Sequence, residues 1–344
     1  MTATPADAGA AVGRPTSALP VDDPALAASL ATGLERVDAL LRERVDHDDP
    51  FVAEASGHLL AAGGKRFRPL LTLLAAHLGP RGVTDEVVAA AAAVELTHLA
   101  SLYHDDVMDE ADVRRGVVSA NARYGASTAI LVGDLLFGTA SSMVADLGPE
   151  AVKIQADTFV RLCSGQIRDD RPTPPGVDPV GHYLGVLADK TGVLIATAAR
   201  YGAMFSGADA GAVEVMRNYG ELLGVAFQLA DDILDITSEA DASGKAPGTD
   251  LREGVDTLAT LDIRAAADPA DAELLGLLDR DLRADDAAHA RALELVRAHP
   301  ALDRARDYTR GVAEQARSVL APLPDGPVVG ALAALAAGSV DRVG

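Results

Sequence analysis

The sequence predicts an all-α protein, a large helical bundle in a single domain, and three observations carry that prediction. Long Ala/Leu/Val segments repeat at helical spacing. Strictly alternating runs of the kind a half-buried strand needs are scarce, and Gly and Pro fall mainly between the periodic segments. Apolar residues make up 49% of the 344, enough for a sizeable core, and with 3% aromatics and no Trp that core is aliphatic. Thirty Lys and Arg stand against 51 Asp and Glu, a net charge of −21 that argues against a nucleic-acid partner. The single Cys163 excludes an intrachain disulfide, makes a structural zinc site unsupported and points to a reducing cytoplasm.

Taken in order, residues 1–20 read as a flexible Ala/Pro/Gly tail and 21–344 as the folded domain. Helical spacing predicts helices over about 25–47, 50–62, 68–78, 84–108, 120–146, 149–168, 180–206, 210–236 and 256–265. Shorter helices follow over 270–340, broken near Pro300, Pro322, Pro324 and Pro327. Two longer loops are expected at 169–178 and 237–250. The stretches Val87–Val94 and Val328–Ala337 read as the most apolar, and both fall short of the roughly 20 residues a spanning helix needs. A soluble protein is expected, with at most surface contact with a bilayer.

The sharpest chemical feature is His104-Asp105-Asp106-Val107-Met108-Asp109, which closes an otherwise almost wholly apolar helix. Asp105 and Asp109 are i,i+4 neighbours, Asp106 and Asp109 are i,i+3, and His98 falls on the same face. Carboxylates packed this closely repel one another unless a cation holds them, and hard oxygen donors with open positions suit Mg²⁺. A second copy, Gln228 to Asp235, repeats the pattern with Asp231, Asp232 and Asp235. Cations accompany the acids: Lys65, Arg66 and Arg68 in GGKRFRP, Arg114 and Arg115 after the first acid motif, Lys190-Thr191-Gly192, and Lys245 in Ser243-Gly244-Lys245. Acid clusters beside cation clusters imply a metal-bridged polyanion, and a phosphate ester or diphosphate fits.

With these motifs the chain resembles the polyprenyl synthetases, the trans-prenyl diphosphate synthases, over about residues 25–340. The matching segments are GGKRFRP at 63–69, ELTHLASLYHDDVMDEADVRRG at 95–116, KTG at 190–192, GVAFQLADDILD at 224–235 and SGKAPGTDLREG at 243–254. They look closest to the heptaprenyl-type, medium- and long-chain enzymes of actinobacteria. The resemblance implies helices around a deep central cavity, a homodimer, and head-to-tail condensation of isopentenyl diphosphate with an allylic diphosphate. It implies that Asp105, Asp106, Asp109, Asp231 and Asp235 hold Mg²⁺, three ions with substrate bound, with Asp232 and Lys190 also in the catalytic set. It implies that Arg114, Lys190 and Lys245 neutralise the leaving diphosphate. Lys65, Arg68, His98 and Arg115 would bind isopentenyl diphosphate, and Thr191 and Gln228 would steady cation and substrate. One departure stands out: many relatives have a lysine soon after G-T-D-L-R-E-G, where this chain continues Val255-Asp256-Thr257-Leu258-Ala259.

Short-product members commonly place aromatics just before the first acid motif. Here those positions are Ala100 and Ser101, so a long product of about six to nine isoprene units is expected. Bulky residues on neighbouring helices, such as Phe137 or Phe159, are the competing way to close the tunnel and give a farnesyl- or geranylgeranyl-length product. A terpene cyclase is disfavoured by the second aspartate motif and by Lys65 and Arg68. A non-catalytic partner subunit is disfavoured by the retained aspartates.

Overall fold

The structure, a computed structural model, describes residues 21–238 and 247–341. The expected tail 1–20 and the Ser243-Gly244-Lys245 segment, with Lys245, lie outside the described residues.

Several helices begin where a side chain can satisfy the free N–H groups of a first turn. Asp23 accepts from Leu26 N to start α1 (Pro24–Val45), and Asp49 accepts from Phe51 N to start α2 (Pro50–Ala61). α3 (Phe67–Ala76) follows the GGKR turn, and Thr84 caps α4 (Asp85–Met108). A two-residue hairpin, β1 (Val113–Arg114) against β2 (Val117–Val118), leads into α5 (Ala120–Tyr124), which Ser119 caps. Then come α6 (Ala126–Ala145), α7 (Pro149–Asp169), α8 (Pro179–Leu187), a wide π-type turn (Ala188–Gly192) and α9 (Val193–Phe205). After α10 (Ala210–Thr237) the chain runs through short α11 (Thr249–Glu253), α12 (Leu258–Ala266) and α13 (Ala272–Leu278). α14 (Asp286–Ala298), α15 (Pro300–Ser318) and α16 (Pro327–Val340) complete the bundle.

The fold is all-α, and the expected helix borders agree with the observed ones to within about two residues. Three differences have local causes. The expected helix 120–146 is two, because Gly125 (φ 83) turns the chain between α5 and α6. The expected helix 180–206 is interrupted by the π-type turn. The hairpin and α11 lie in segments too short to show a period.

α4 is the hub, packed on α1, α3, α6 and α9. Its run of alanines keeps those neighbours close, and Ala90 to Val94 are wholly buried. Both α4 and α6 are long and apolar enough to cross a membrane, contrary to the expectation that the apolar stretches fall short of that length. α4 is mostly buried inside the bundle, whereas α6 is only 39% buried and shows Leu131 and Ile130 at the surface.

Candidate active site

A cavity of about 610 Å³ opens among α3, α4, α7, α9 and α10, beside the hairpin arginines. Its polar end is lined by Lys65, Arg68, His98, Asp105, Arg114, Arg115, Lys190, Thr191, Gln228 and Asp231. Its apolar end is lined by Leu102, Phe137, Phe159, Leu162, Leu194 and Ile195. Residues more than a hundred positions apart thus share one hollow.

The aspartates divide into two kinds. Asp105 faces the cavity, and burial, with the like charges of Asp109 and Asp106, pushes its carboxyl up to about 6 against the pull of Lys190 and Arg114. Asp109 ends α4 in solvent and accepts from Arg114 Nη2 at 3.4 Å. Asp106 is wholly buried; it accepts from Arg114 Nε at 2.6 Å and from Ala120 N at 3.2 Å, so it ties the hairpin and α5 to α4. Replacing Asp106 by Ala is therefore expected to cost about 3 kcal/mol in urea unfolding, because Arg114 keeps its partial burial and loses its main partner.

In the second motif Asp231 faces the cavity. Asp232 points away from it, toward α8 and α12, where it accepts from the Tyr183 hydroxyl and from Gln228 Nε2 at 3.0 Å. Burial still lifts Asp232 to about 6 despite those hydrogen bonds. Asp235 spends its two carboxylate oxygens on Thr249 N and Asp250 N, each at 3.1 Å, and so caps α11. The two motifs are therefore alike in their first two aspartates, one facing the cavity and one turned into protein hydrogen bonds, and differ in the third, Asp109 against Asp235. Among the described residues no three Asp, Glu, His or Cys groups converge to hold an ion unaided. The donor set of Asp105, Asp109 and Asp231 still fits a hard divalent cation whose remaining positions are filled by a ligand's oxygens.

The cationic wall grows from the GGKRFRP turn. Gly63 (φ 90) and Arg66 (φ 48) bend the chain sharply into α3. A Cβ on Gly64 would sit 3.1 Å from both the Arg115 and Arg66 guanidinium groups, tight enough to push them aside. Arg66 is structural, paired with Asp38 at 2.9 Å and Glu95 at 3.1 Å. Arg115 donates to Leu59 O at 3.0 Å and to Gly63 O. Arg68 has a buried Nε with no protein partner, and burial together with Arg115 lowers its pKa to about 10 against the pull of Glu95. Burial, then Arg68 and Arg115, hold His98 well below 6.5, so its imidazole is neutral. A guanidinium with an unspent donor beside a cavity has the chemistry to bind an anion.

Across the hollow, Lys190 Nζ donates to Asp169 Oδ2 at 2.6 Å. Burial opposes the Lys190 charge, but Asp169, Asp105 and Asp109 raise its pKa. Thr191 Oγ1 donates to Gln228 Oε1 at 3.2 Å, and Gln228 passes the chain on to Asp232 and Tyr183. Asp169, Asp232 as a support, and Tyr183 were not foreseen in these roles. Val255 is exposed in the turn before α12.

At the apolar end Ser101 lines the cavity, whereas Ala100 is wholly buried and does not. The Phe137 and Phe159 rings lie 4.5 Å apart on the α6–α7 side. One helical turn beyond this wall the lining faces turn polar. Gln155 Nε2 donates to Thr97 Oγ1 at 2.8 Å, and the Thr158 and Thr197 hydroxyls meet at 2.6 Å.

Comparison with known proteins gives a consistent picture. A family model described as Polyprenyl synthetase matches residues 49–296. A nonaprenyl diphosphate synthase of Mycobacterium tuberculosis is 50% identical over 322 residues, covering 94% of this chain and 96% of that protein. The crystal structure of a geranylgeranyl pyrophosphate synthase from Corynebacterium glutamicum, complexed with calcium and isoprenyl diphosphate, superposes with a TM-score of 0.84 at 41% identity, covering 94% of this chain and 99% of that one. A decaprenyl diphosphate synthase from Rhodobacter capsulatus superposes at 0.83 with 34% identity, covering 93% and 98%.

Proposed function

Because the chain belongs to the polyprenyl synthetase family, we propose that it is an all-trans polyprenyl diphosphate synthase of the medium- to long-chain type. The observation that carries this is one hollow holding a carboxylate rim, a separate cationic wall with an unspent Arg68 donor, and an apolar extension. Its product would be about six to nine isoprene units, in keeping with the small Ser101 on the wall and the nonaprenyl-forming relative.

Each part has a task in the reaction. Asp105, Asp109 and Asp231 would hold Mg²⁺, with Asp106, Asp232 and Asp235 supporting them from behind. When bound, the metal offsets the negative charge that builds on a departing diphosphate. Lys190 and Arg114 stand on the same rim and orient that diphosphate. Lys65, Arg68 and Arg115, with neutral His98, take isopentenyl diphosphate on the opposite wall. Thr191 and Gln228 present oxygens toward the carbon that becomes cationic. Leu102, Leu162, Leu194 and Ile195 keep water from it, and the proton lost after condensation passes to the released diphosphate.

The exposed apolar face of α6 and α7, with Leu131 66% and Val160 64% exposed, supports a homodimer that covers it. Residues 21–344 would form one synthase domain acting in the cytoplasm, with membrane-surface contact when the long product leaves.

Incubating the protein with Mg²⁺, farnesyl diphosphate and isopentenyl diphosphate, then sizing the extracted alcohols, tests the reading. Elongation that EDTA stops and added Mg²⁺ restores is expected; no elongation from any allylic primer would sink it. Arg68→Gln is expected to raise KM for isopentenyl diphosphate about tenfold or more, with a smaller effect on the allylic substrate.

A further inference from the structure

Inside the cavity the turn that presents Lys190 and Thr191 is held by the Thr191–Gln228 hydrogen bond, and on its far side a second set of contacts fixes it. In it Val193 N–H reaches back to Ala188 O, so it carries one more residue than an α-helical turn. Relaxation of such a turn to α geometry would change the phase by one residue and so rotate a helix face by about 100°. Asp189, directly before Lys190, points away from the cavity toward α7. Its Oδ1 accepts from Arg161 Nε at 2.6 Å and its Oδ2 accepts from Arg168 Nη2. Arg161 also donates to Glu221 Oε1 at 2.6 Å on α10, and Glu221 is held in turn by Arg217 at 3.0 Å. Between the two arginines, Gly165 lets α7 press against the turn, since a Cβ there would lie 2.6 Å from Lys190 N. Neither Asp189 nor the two arginines line the cavity.

We propose that Asp189, gripped by Arg161 and Arg168, is a positioning residue that locks the wide turn in the register from which Lys190 and Thr191 face the allylic diphosphate. This rests on the synthase reading above, which assigns those two residues to that substrate. The clamp residues are a fifth to two fifths exposed, so their ion pairs add little to global stability. Their worth is geometric, and a loss should appear in catalysis before it appears in unfolding.

The test compares Asp189→Asn, Asp189→Glu and the double variant Arg161→Met/Arg168→Met with the unaltered protein. Steady-state elongation is measured with each substrate varied, thermal unfolding is followed, and farnesyl diphosphate binding with Mg²⁺ is followed by calorimetry. For Asp189→Asn and the double variant, kcat is expected to fall about tenfold or more and KM for farnesyl diphosphate to rise several-fold. KM for isopentenyl diphosphate should stay within about twofold, Tm should hardly move, and Asp189→Glu should recover part of the loss. Two results would overturn the proposal: farnesyl diphosphate binding as tight in Asp189→Asn as in the unaltered protein, or losses that follow a fall in Tm and strike both substrates alike. Calorimetry separates this from the synthase reading, because a protein that binds farnesyl diphosphate and never elongates it refutes that reading while the binding comparison still judges the clamp.

Discussion

Replacing Asp105 by Asn is expected to lower kcat by about 10³-fold or more, while the metal-free protein becomes no less stable. Both halves follow from its position. Asp105 is the first-motif carboxylate that looks into the hollow, close to the charges of Lys190 and Arg114, where an allylic diphosphate would lie. The amide keeps the shape and removes the charge, so a loss of turnover reports the charge and its metal rather than a cavity. In EDTA the folded protein carries Asp105 at a raised pKa, about 6 against 3.8 for the free side chain. A raised carboxyl binds its proton more tightly folded than unfolded, so its contribution to stability falls as pH rises from about 4 to 6 and stays low above that. Asp105→Asn should abolish that part of the pH dependence and raise Tm near pH 7, and Mg²⁺ with substrate should stabilise the unaltered protein more than the variant. Differential scanning fluorimetry across pH, with and without EDTA, reads this beside the rate. A variant that turns over like the unaltered protein would refute the assignment of Asp105 to the metal.

Asp106, one residue on, should behave in the opposite way, and that contrast marks the limit of what spacing could reveal. Helical periodicity located α4 and α10 and put acids near their ends, because the 3.6-residue repeat is a property of the local chain. Which acid looks into the hollow depends on partners from elsewhere. Asp106 turns to Arg114 and Ala120, Asp232 to Tyr183, and Asp235 to the N–H groups of Thr249 and Asp250. The GGKRFRP cations were legible as a group, yet Arg66 is spent on ion pairs with Asp38 and Glu95 while Arg68 keeps an unpaired Nε. The π-type turn was illegible for a similar reason. Its sequence satisfies an α-helical pattern, and it is pinned by Arg161 and Arg168 of another helix.

Product length depends on the same kind of long-range contact. The prediction is that Ser101→Tyr shortens the product to about three or four isoprene units and that Phe159→Ala lengthens it by about one or two. Ser101 stands one turn below Asp105 on the cavity wall, so a ring there would cross the path of the chain early. Ala100, equally small, is wholly buried outside that wall, and a large residue there should cost stability before it changes length. A second turn down, Thr97 lies about 12 Å from Asp105 along the helix, and it is hydrogen-bonded to Gln155. An apolar tail gains nothing by entering that polar layer, and separating its buried hydrogen bonds would cost it. Growth beyond a few units must therefore turn sideways, toward the contact between Phe137 and Phe159. Phe159 lines the hollow and is 36% exposed, so removing its ring enlarges the hollow at the contact with Phe137. Sizing the alcohols made by each variant from farnesyl and isopentenyl diphosphates measures both effects. If Phe159→Ala keeps the same longest product while Thr97→Val, which keeps volume and removes the hydroxyl, extends it, the tail runs straight down α4 and the sideways path is wrong.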